Sequence, residues 1–496
     1  MRDRPRTPRR HDRQKPREEN PSESFRTQSG QQPGHLEATV LANSGETQAT
    51  PPSADALTCK AGSPPDPARL AGQKTKTLKH HSLIDKVYRY DNLYTAWRKV
   101  RANKGAHGID RMTIKAYEAD AETHLRELQR KLMQGRYQPL PVKRVYIPKA
   151  SDPTQLRPLG IPTVTDRVCQ QAVYQILSPI FDPEFSERSY GFRPHRSAQQ
   201  AIATLIGDAK AGFRHVVDAD IASFFDRLDY DVMMSRVRQK IADGRVLDLI
   251  EAFLKAGVCE GNTVSIPLEG SPQGGVISPL LANIVLDSLD KALETNGWRH
   301  VRYADDFVIL TRSADEAAQA LADAKEVLEN LKLSLHETKT RLTEFKHGFD
   351  FLGMHFRRNS VQPRQQSLNR FKDKVRKLTR RQQGRNVDAV LDDLNPVIRG
   401  WARYFGSGDC TGCFRQLDRW IRMRIRNFRM QRRNRNDNWR LTNEVLAAWG
   451  LLSLQQCRPE RILSYRRAKT VRAVRIPCNE DTARGRPVAV TPHADQ

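Results

Sequence analysis

The sequence predicts an α+β protein with a disordered N-terminal tail, a body of mixed strands and helices, and an all-α C-terminal part. Three observations carry this. Between Lys143 and Phe345 short β-branched runs alternate with helical stretches. Beyond about residue 365 apolar residues recur only at helical spacing. Residues 1–78 follow neither pattern and are rich in Arg, Pro, Ser, Gln and Gly, a composition that cannot bury enough apolar surface to order a chain.

The tail also carries Asp3, Asp12, Glu18, Glu19 and Glu23, which argue against an organellar transit peptide. It reads as an inert extension, with a nonspecific RNA tether as the alternative. From Ser82 onward Leu83, Val87, Leu93, Trp97 and Val100 mark a helical pattern, so a folded body is expected over residues 79–362. Three helical stripes follow: Leu368, Phe371, Val375 and Leu378; Leu394, Val397, Ile398, Trp401 and Phe405; and Phe414, Leu417, Ile421, Ile425 and Phe428. They predict a three-helix domain over residues 363–435. Residues 436–496 are left as a basic region suited to DNA, with a disordered end.

The chain has 496 residues, with 83 Lys and Arg against 57 Asp and Glu, a net charge of +26. That excess points to a polyanionic partner. No run of about 18 apolar residues is present to span a bilayer, and the N-terminus is too polar for a secretory signal, so a cytoplasmic protein is expected. Seven scattered cysteines form no disulfide framework. Cys410 and Cys413 form a CxxC without the second ligand pair that a zinc site needs, so no zinc is expected there.

The chemistry concentrates in acidic residues on strands. Val216–Ile221 alternates as a strand, sending Asp218 and Asp220 to one face and Val217, Ala219 and Ile221 to the other. Residues 300–303 and 307–310 read as two strands whose tight connection presents Asp305 and Asp306. Two adjacent Asp in a turn are ordinarily just solvated. Together with Asp220 they mean more, because like charges about 4 Å apart repel by roughly 4 kcal/mol at an effective dielectric near 20. Two Mg²⁺ ions would offset that repulsion and serve an in-line phosphoryl displacement. Two further segments suit nucleotide handling. Ser271–Pro279 has small residues for close backbone approach and one long polar probe, Gln273. Lys149 and Arg157 flank a turn and could hold a triphosphate.

With these residues assembled, the chain resembles bacterial group II intron reverse transcriptase/maturases across roughly residues 82–467. The resemblance rests on Tyr303-Ala304-Asp305-Asp306, on Asp220, on Ser189–Pro194, on Ser271–Gly275 and on Phe349–Gly353, in the family's order. It implies a right-hand polymerase, with fingers and palm over residues 79–362 and a thumb/maturase domain over residues 363–435. It also implies that Asp220, Asp305 and Asp306 hold both Mg²⁺ ions, helped by the carbonyl of Ile221. Lys149, Arg157, Gln273 and Lys339 would attend the incoming nucleotide. Ser223, Phe224 and Phe225 would border its pocket, with Phe225 as the steric gate against a ribose 2′-hydroxyl and Phe224 as packing. Asn395–Phe405 looks like the maturase block, and Arg399, Arg403, Arg422, Arg426, Arg429 and Arg433 are the expected RNA contacts. Trp420 and Phe428 read as core rather than base-stacking rings, while Trp439 lies just beyond. Implied partners are the intron RNA, an RNA template with a DNA primer, dNTPs, target DNA and a second copy of the chain. The protein would associate with the bacterial nucleoid when on DNA.

Two features depart from the family pattern. Ala222 and Ser223 stand where Lys and Gly are common, which bears on the nucleotide pocket. No Cys/His-rich endonuclease block follows the maturase stretch, so retrohoming without a nuclease of its own is expected. The rival readings are a splicing cofactor without polymerase activity, a host-adopted reverse transcriptase in defence or diversification, and an RNA-synthesising polymerase. Intact acidic residues oppose the first, the maturase-like block the second and Phe225 the third.

Overall fold

The computed structural model describes residues 79–148, 154–261, 263–265, 274–431 and 440–459. The tail 1–78, Lys149, Gln273, Arg433, Trp439 and the end from residue 460 lie outside the described residues.

The described residues contain eleven strands: β1 (Val142–Pro148), β2 (Leu156–Ile161), β3 (His215–Asp220), β4 (Val258–Glu260), β5 (Thr263–Ser265), β6 (Arg299–Tyr303), β7 (Asp306–Thr311), β8 (Arg341–Glu344), β9 (Phe349–Phe351), β10 (Met354–Arg357) and β11 (Ser360–Pro363). They form three sheets. The first has the order β2-β1-β4-β5, the central one β6-β7-β3-β8, and a small one β11-β10-β9. In the first sheet β1 and β2 form an antiparallel hairpin in which Ile147 faces Arg157.

The central sheet works because its strands alternate between two cores. Val217 and Ala219 of β3 and Phe307 and Ile309 of β7 enter a core shared with the helices Val164–Phe181, Ser278–Thr295 and Ala314–Asn330. Val216, Val308 and Leu310 enter the other. Each fully buried Val, Leu, Ile or Phe contributes about 1.5–3 kcal/mol, and a one-residue slip of β3 would turn Asp218 and Asp220 toward the first core in place of Val217 and Ala219, which pins its register.

The three stripes form helices as expected: Gln365–Leu378, Val387–Phe405 and Thr411–Met430. They do not stand apart as a three-helix unit. Phe371, Leu394, Ile398 and Phe414 share the second core with Val308 and Leu310 of the central sheet and with Phe349 and Phe356 of the small sheet. A further short helix, Asn443–Ala448, closes on the same core through Leu446, followed by Leu451 and Leu454. Near the N-terminus the helical run from Ser82 is split into Ile84–Val87 and Tyr90–Ala102, because Arg89 between them is extended (φ −54°, ψ 134°).

Candidate active site

β3 and β7 pair antiparallel with Asp220 opposite Asp306. β6 and β7 close with Tyr303 opposite Asp306, leaving Ala304 and Asp305 as a two-residue turn. Ala304 sits at φ +59°, a conformation tight hairpins need and a Cβ disfavours. Register alone therefore places Asp220, Asp305 and Asp306 at one end of the central sheet.

Electrostatics there are unfavourable in the way a cation would relieve. Burial, then the charges of Asp305, Asp220 and Asp218, push the Asp306 carboxyl up to about 7. Asp305 is also raised, first by burial and then by Asp220, against the opposing pull of Arg157 and Lys339. Asp218 is raised by burial even though Arg341 on β8 donates to it at 3.0 Å. Among the described residues no three Asp, Glu, His or Cys side chains close into a metal cluster. Asp220 accepts from Lys339 Nζ at 2.6 Å. The donor set still fits Mg²⁺, since hard carboxylate oxygens from adjacent strands are the ligands that ion takes.

The supporting segments fall around this edge. Arg157 on β2 comes close enough to lower the Asp305 pKa. Ile221 bridges to Leu335, flanked by bonds from His336 N to Asp220 O (2.7 Å) and from Ala222 N to Ser334 O (2.9 Å). Ser223 adopts φ +46°, so the serine stands where the chain needs a glycine-like conformation. Phe224 is 2% exposed and Phe225 half-buried, with their rings edge to face at 5.1 Å. Gly274 lies at φ +119°, and a Cβ there would meet Gly160 O at 2.2 Å, so the glycine stretch packs directly on the β2 backbone.

One set of residues escapes a reading of local pattern. Arg302 in β6 is wholly buried and bonds Asp290 and Asn283 of the helix Ser278–Thr295, beneath the Asp305 turn. The strand itself, Arg299-His300-Val301-Arg302-Tyr303, gave no signal, and the one hint was Asn283 and Asp290 two turns apart on one face of an apolar helix.

The arginine-rich helix divides. Arg399, Arg403 and Arg429 are exposed and Arg422 is half-buried. Arg426 corrects the expectation of an RNA contact. It is 8% exposed, and its guanidinium donates to Leu441 O at 2.7 Å and Asn443 Oδ1 at 3.0 Å, tying the last short helix down. Arg424 likewise donates to Thr379. Phe428 is core, as expected, while Trp420 is half-buried with Arg376 over its ring. Arg426→Met is therefore expected to lower stability by about 1.5–3 kcal/mol in denaturant melts, the range for hydrogen bonds to a charged group. Arg403→Ala, at an exposed position, should leave the melt unchanged. An unchanged melt for Arg426→Met would refute the tether.

Comparison with known proteins agrees with this layout. The family described as "Reverse transcriptase (RNA-dependent DNA polymerase)" matches residues 147–356. "Group II intron, maturase-specific domain" matches residues 368–445. Protein YkfC of Escherichia coli is 34% identical over 320 residues, covering 56% of this chain and 83% of YkfC. The group II intron-encoded protein LtrA of Lactococcus lactis is 31% identical over 346 residues, covering 55% of this chain and 57% of LtrA. Among solved structures, a partial Cas6-RT-Cas1–Cas2 complex is 27% identical with a TM-score of 0.33, over 51% of this chain and 42% of that one. Telomerase from Candida albicans is 13% identical with a TM-score of 0.38, over 70% and 66%. By its two matched domains and the extent of its relatives, the chain belongs to the group II intron-encoded reverse transcriptase/maturases, a family of RNA-directed DNA polymerases.

Proposed function

We propose that the chain extends a primer 3′-end along an RNA template with dNTPs, using Asp220, Asp305 and Asp306 to hold two Mg²⁺ ions, with the Ile221 carbonyl as a further ligand. The observation that carries this is the register of β3 against β7, which sets Asp220 opposite Asp306 and beside Asp305. The family is metal-dependent; when bound, two Mg²⁺ ions would promote attack by the 3′-hydroxyl and offset charge on the leaving pyrophosphate. In the reaction the primer 3′-oxygen forms a bond to the α-phosphorus, the bond to pyrophosphate breaks, and the hydroxyl proton passes to solvent.

The chain's own residues supply positioning and charge. Arg157, with Lys149 and Gln273 from the neighbouring segments, would hold the triphosphate and base. Lys339, now paired with Asp220, is a cation that can turn to the phosphates as that carboxylate takes up a metal. Ser223 and Phe224 would shape the pocket floor and Phe225 would face the sugar. Phe225→Ala is expected to lower discrimination against ribonucleotides by about ten- to a hundred-fold, the scale of one pocket contact, with dNTP incorporation retained. Competition assays with dNTP and rNTP measure this, and unchanged discrimination would remove Phe225 from the gate role.

We further propose that Arg399, Arg403, Arg422 and Arg429 contact intron RNA, with residues 363–435 as thumb and maturase and residues 79–362 as fingers and palm. The net charge of +26 also suits target DNA. Binding should fall steeply with salt, by close to one log unit of affinity per log unit of salt for each phosphate contact. The test of the whole reading is primer extension on an RNA template with dNTPs and Mg²⁺, repeated in chelator. Extension that needs the divalent ion supports it. Tight RNA binding without extension would leave only the splicing role.

A further inference from the structure

Building on the polymerase reading, we infer that Arg302 is a positioning residue: locked by Asp290, it fixes the turn that carries Asp305 and Asp306 and, through Asn283, the Ser189–Pro194 loop beside it. Arg302 and Asp290 are both 0% exposed at their side chains. Arg302 Nε donates to Asp290 Oδ1 at 2.7 Å, and a terminal nitrogen donates to Oδ2 at 2.5 Å, a bidentate pair that sets the plane of the guanidinium. The other terminal nitrogen donates to Asn283 Oδ1 at 2.9 Å and to Ala304 O at 3.0 Å. Asn283 in turn donates to Gly191 O at 2.9 Å. One planar cation thus joins a rigid helix, the turn and the neighbouring loop.

The backbone makes the same connection. Arg302 N donates to Arg188 O at 3.0 Å, and Tyr190 N donates to Arg302 O at 2.9 Å. Ala304 holds a left-handed conformation, which persists only where its surroundings over-determine it. The bond from Arg302 to the Ala304 carbonyl is such a constraint, made at the residue just before Asp305. His300 lies on the same buried side, its Nε2 3.3 Å from Asp290 Oδ1, while Arg302 holds both oxygens of that carboxylate. A buried ion pair is weak as a device for stability compared with apolar packing. Its use here is directional: five donors in a fixed fork do what neither an apolar side chain nor an ammonium can.

The experiment compares Arg302→Lys and Asn283→Ala with the wild type in the full chain. Arg302→Lys keeps a cation for Asp290 but cannot also hold Asn283 and Ala304. Asn283→Ala keeps the ion pair and cuts the link to Gly191. Four quantities are read: thermal midpoint, RNA affinity, kcat and KM for primer extension, and the Mg²⁺ concentration at half-maximal rate. Expected are unchanged RNA affinity and KM for primer-template, a fall in kcat of about 10- to 100-fold for Arg302→Lys and a rise in the Mg²⁺ midpoint, the scale seen when groups behind metal ligands are lost. Asn283→Ala should move both readouts the same way by less. If Arg302→Lys does not fold, Asn283→Ala decides alone. Wild-type extension beside variants with unaltered kcat and Mg²⁺ midpoint overturns the inference, as does activity that falls only with the folded fraction. A wild type that does not extend at all overturns the polymerase reading and takes this inference with it.

Discussion

Replacing Asp305 and Asp306 together by alanine is expected to reduce primer extension by at least about a thousand-fold while RNA affinity stays at the wild-type level. Losing metal-held charge stabilisation removes several kcal/mol from the transition state, and each 1.36 kcal/mol is about tenfold in rate. RNA binding should survive because the arginines proposed as RNA contacts, among them Arg399, Arg403 and Arg429, lie on other elements, the helices Val387–Phe405 and Thr411–Met430. A second readout comes from stability. Asp306 has its carboxyl pushed up to about 7 by burial and by its acidic neighbours. A folded-state value above the unfolded one near 3.9 means that its favourable contribution is complete below pH ~4 and is lost as the pH rises through about 7. At pH 8 in chelator the double variant should therefore melt no lower than the wild type. Added Mg²⁺ should raise the wild-type melting temperature and leave the variant unmoved, since binding to the native state alone stabilises it. A variant that still extends, or that melts well below the wild type in chelator, would sink the assignment.

Much of this site was legible from local pattern. Alternation of Val217, Ala219 and Ile221 against Asp218 and Asp220 is a period-two signal, and the structure buries the first set and turns the acids toward the other face. The hairpin through Ala304 and Asp305 was equally readable, because the short strand-like runs 300–303 and 307–310 are joined by a tight connection that admits few alternatives. Long-range partners were not. Nothing near Arg302 names Asp290 as its mate, and nothing near Asp220 names Lys339; such pairs follow from how a helix or strand lies across the sheet. The arginine-rich helix shows the same limit. Arg422, Arg426 and Arg429 recur at three- and four-residue spacing, yet Arg426 is buried because the segment 441–443 returns to cover that side. A count of charges cannot say which side is covered. Nor could the three helical stripes show that they share a core with the central sheet, since an apolar stripe specifies that it is buried and not against what.

The same long-range packing underlies the second large effect, at Gly191. This residue was read as part of a motif, but the reason for glycine lies in the turn it touches. A Cβ at Gly191 would stand 2.2 Å from Ala304 N, 2.9 Å from Tyr303 C and 3.1 Å from Ala304 Cα. All three are backbone atoms, so no flexible side chain can swing away. Gly191→Ala must push the loop and the turn apart by roughly 1 Å, and a misplacement of that size costs on the order of 10²-fold in rate. The bond from Asn283 to Gly191 O would be strained by the same movement. Overpacking of this kind also costs about 1–3 kcal/mol of stability. The matched control is Gly207→Ala, inside the helix Ala198–Lys210 with nothing within 4 Å of its added Cβ; it should keep full activity and gain up to about 1 kcal/mol. If Gly191→Ala loses extension while its melt drops only modestly and RNA affinity holds, then the loop sets the position of Asp305 and Asp306 by contact. If it extends at the wild-type rate, the turn tolerates that displacement, and the precision argued for the carboxylates must come from Arg302 and the metal ions rather than from the loop.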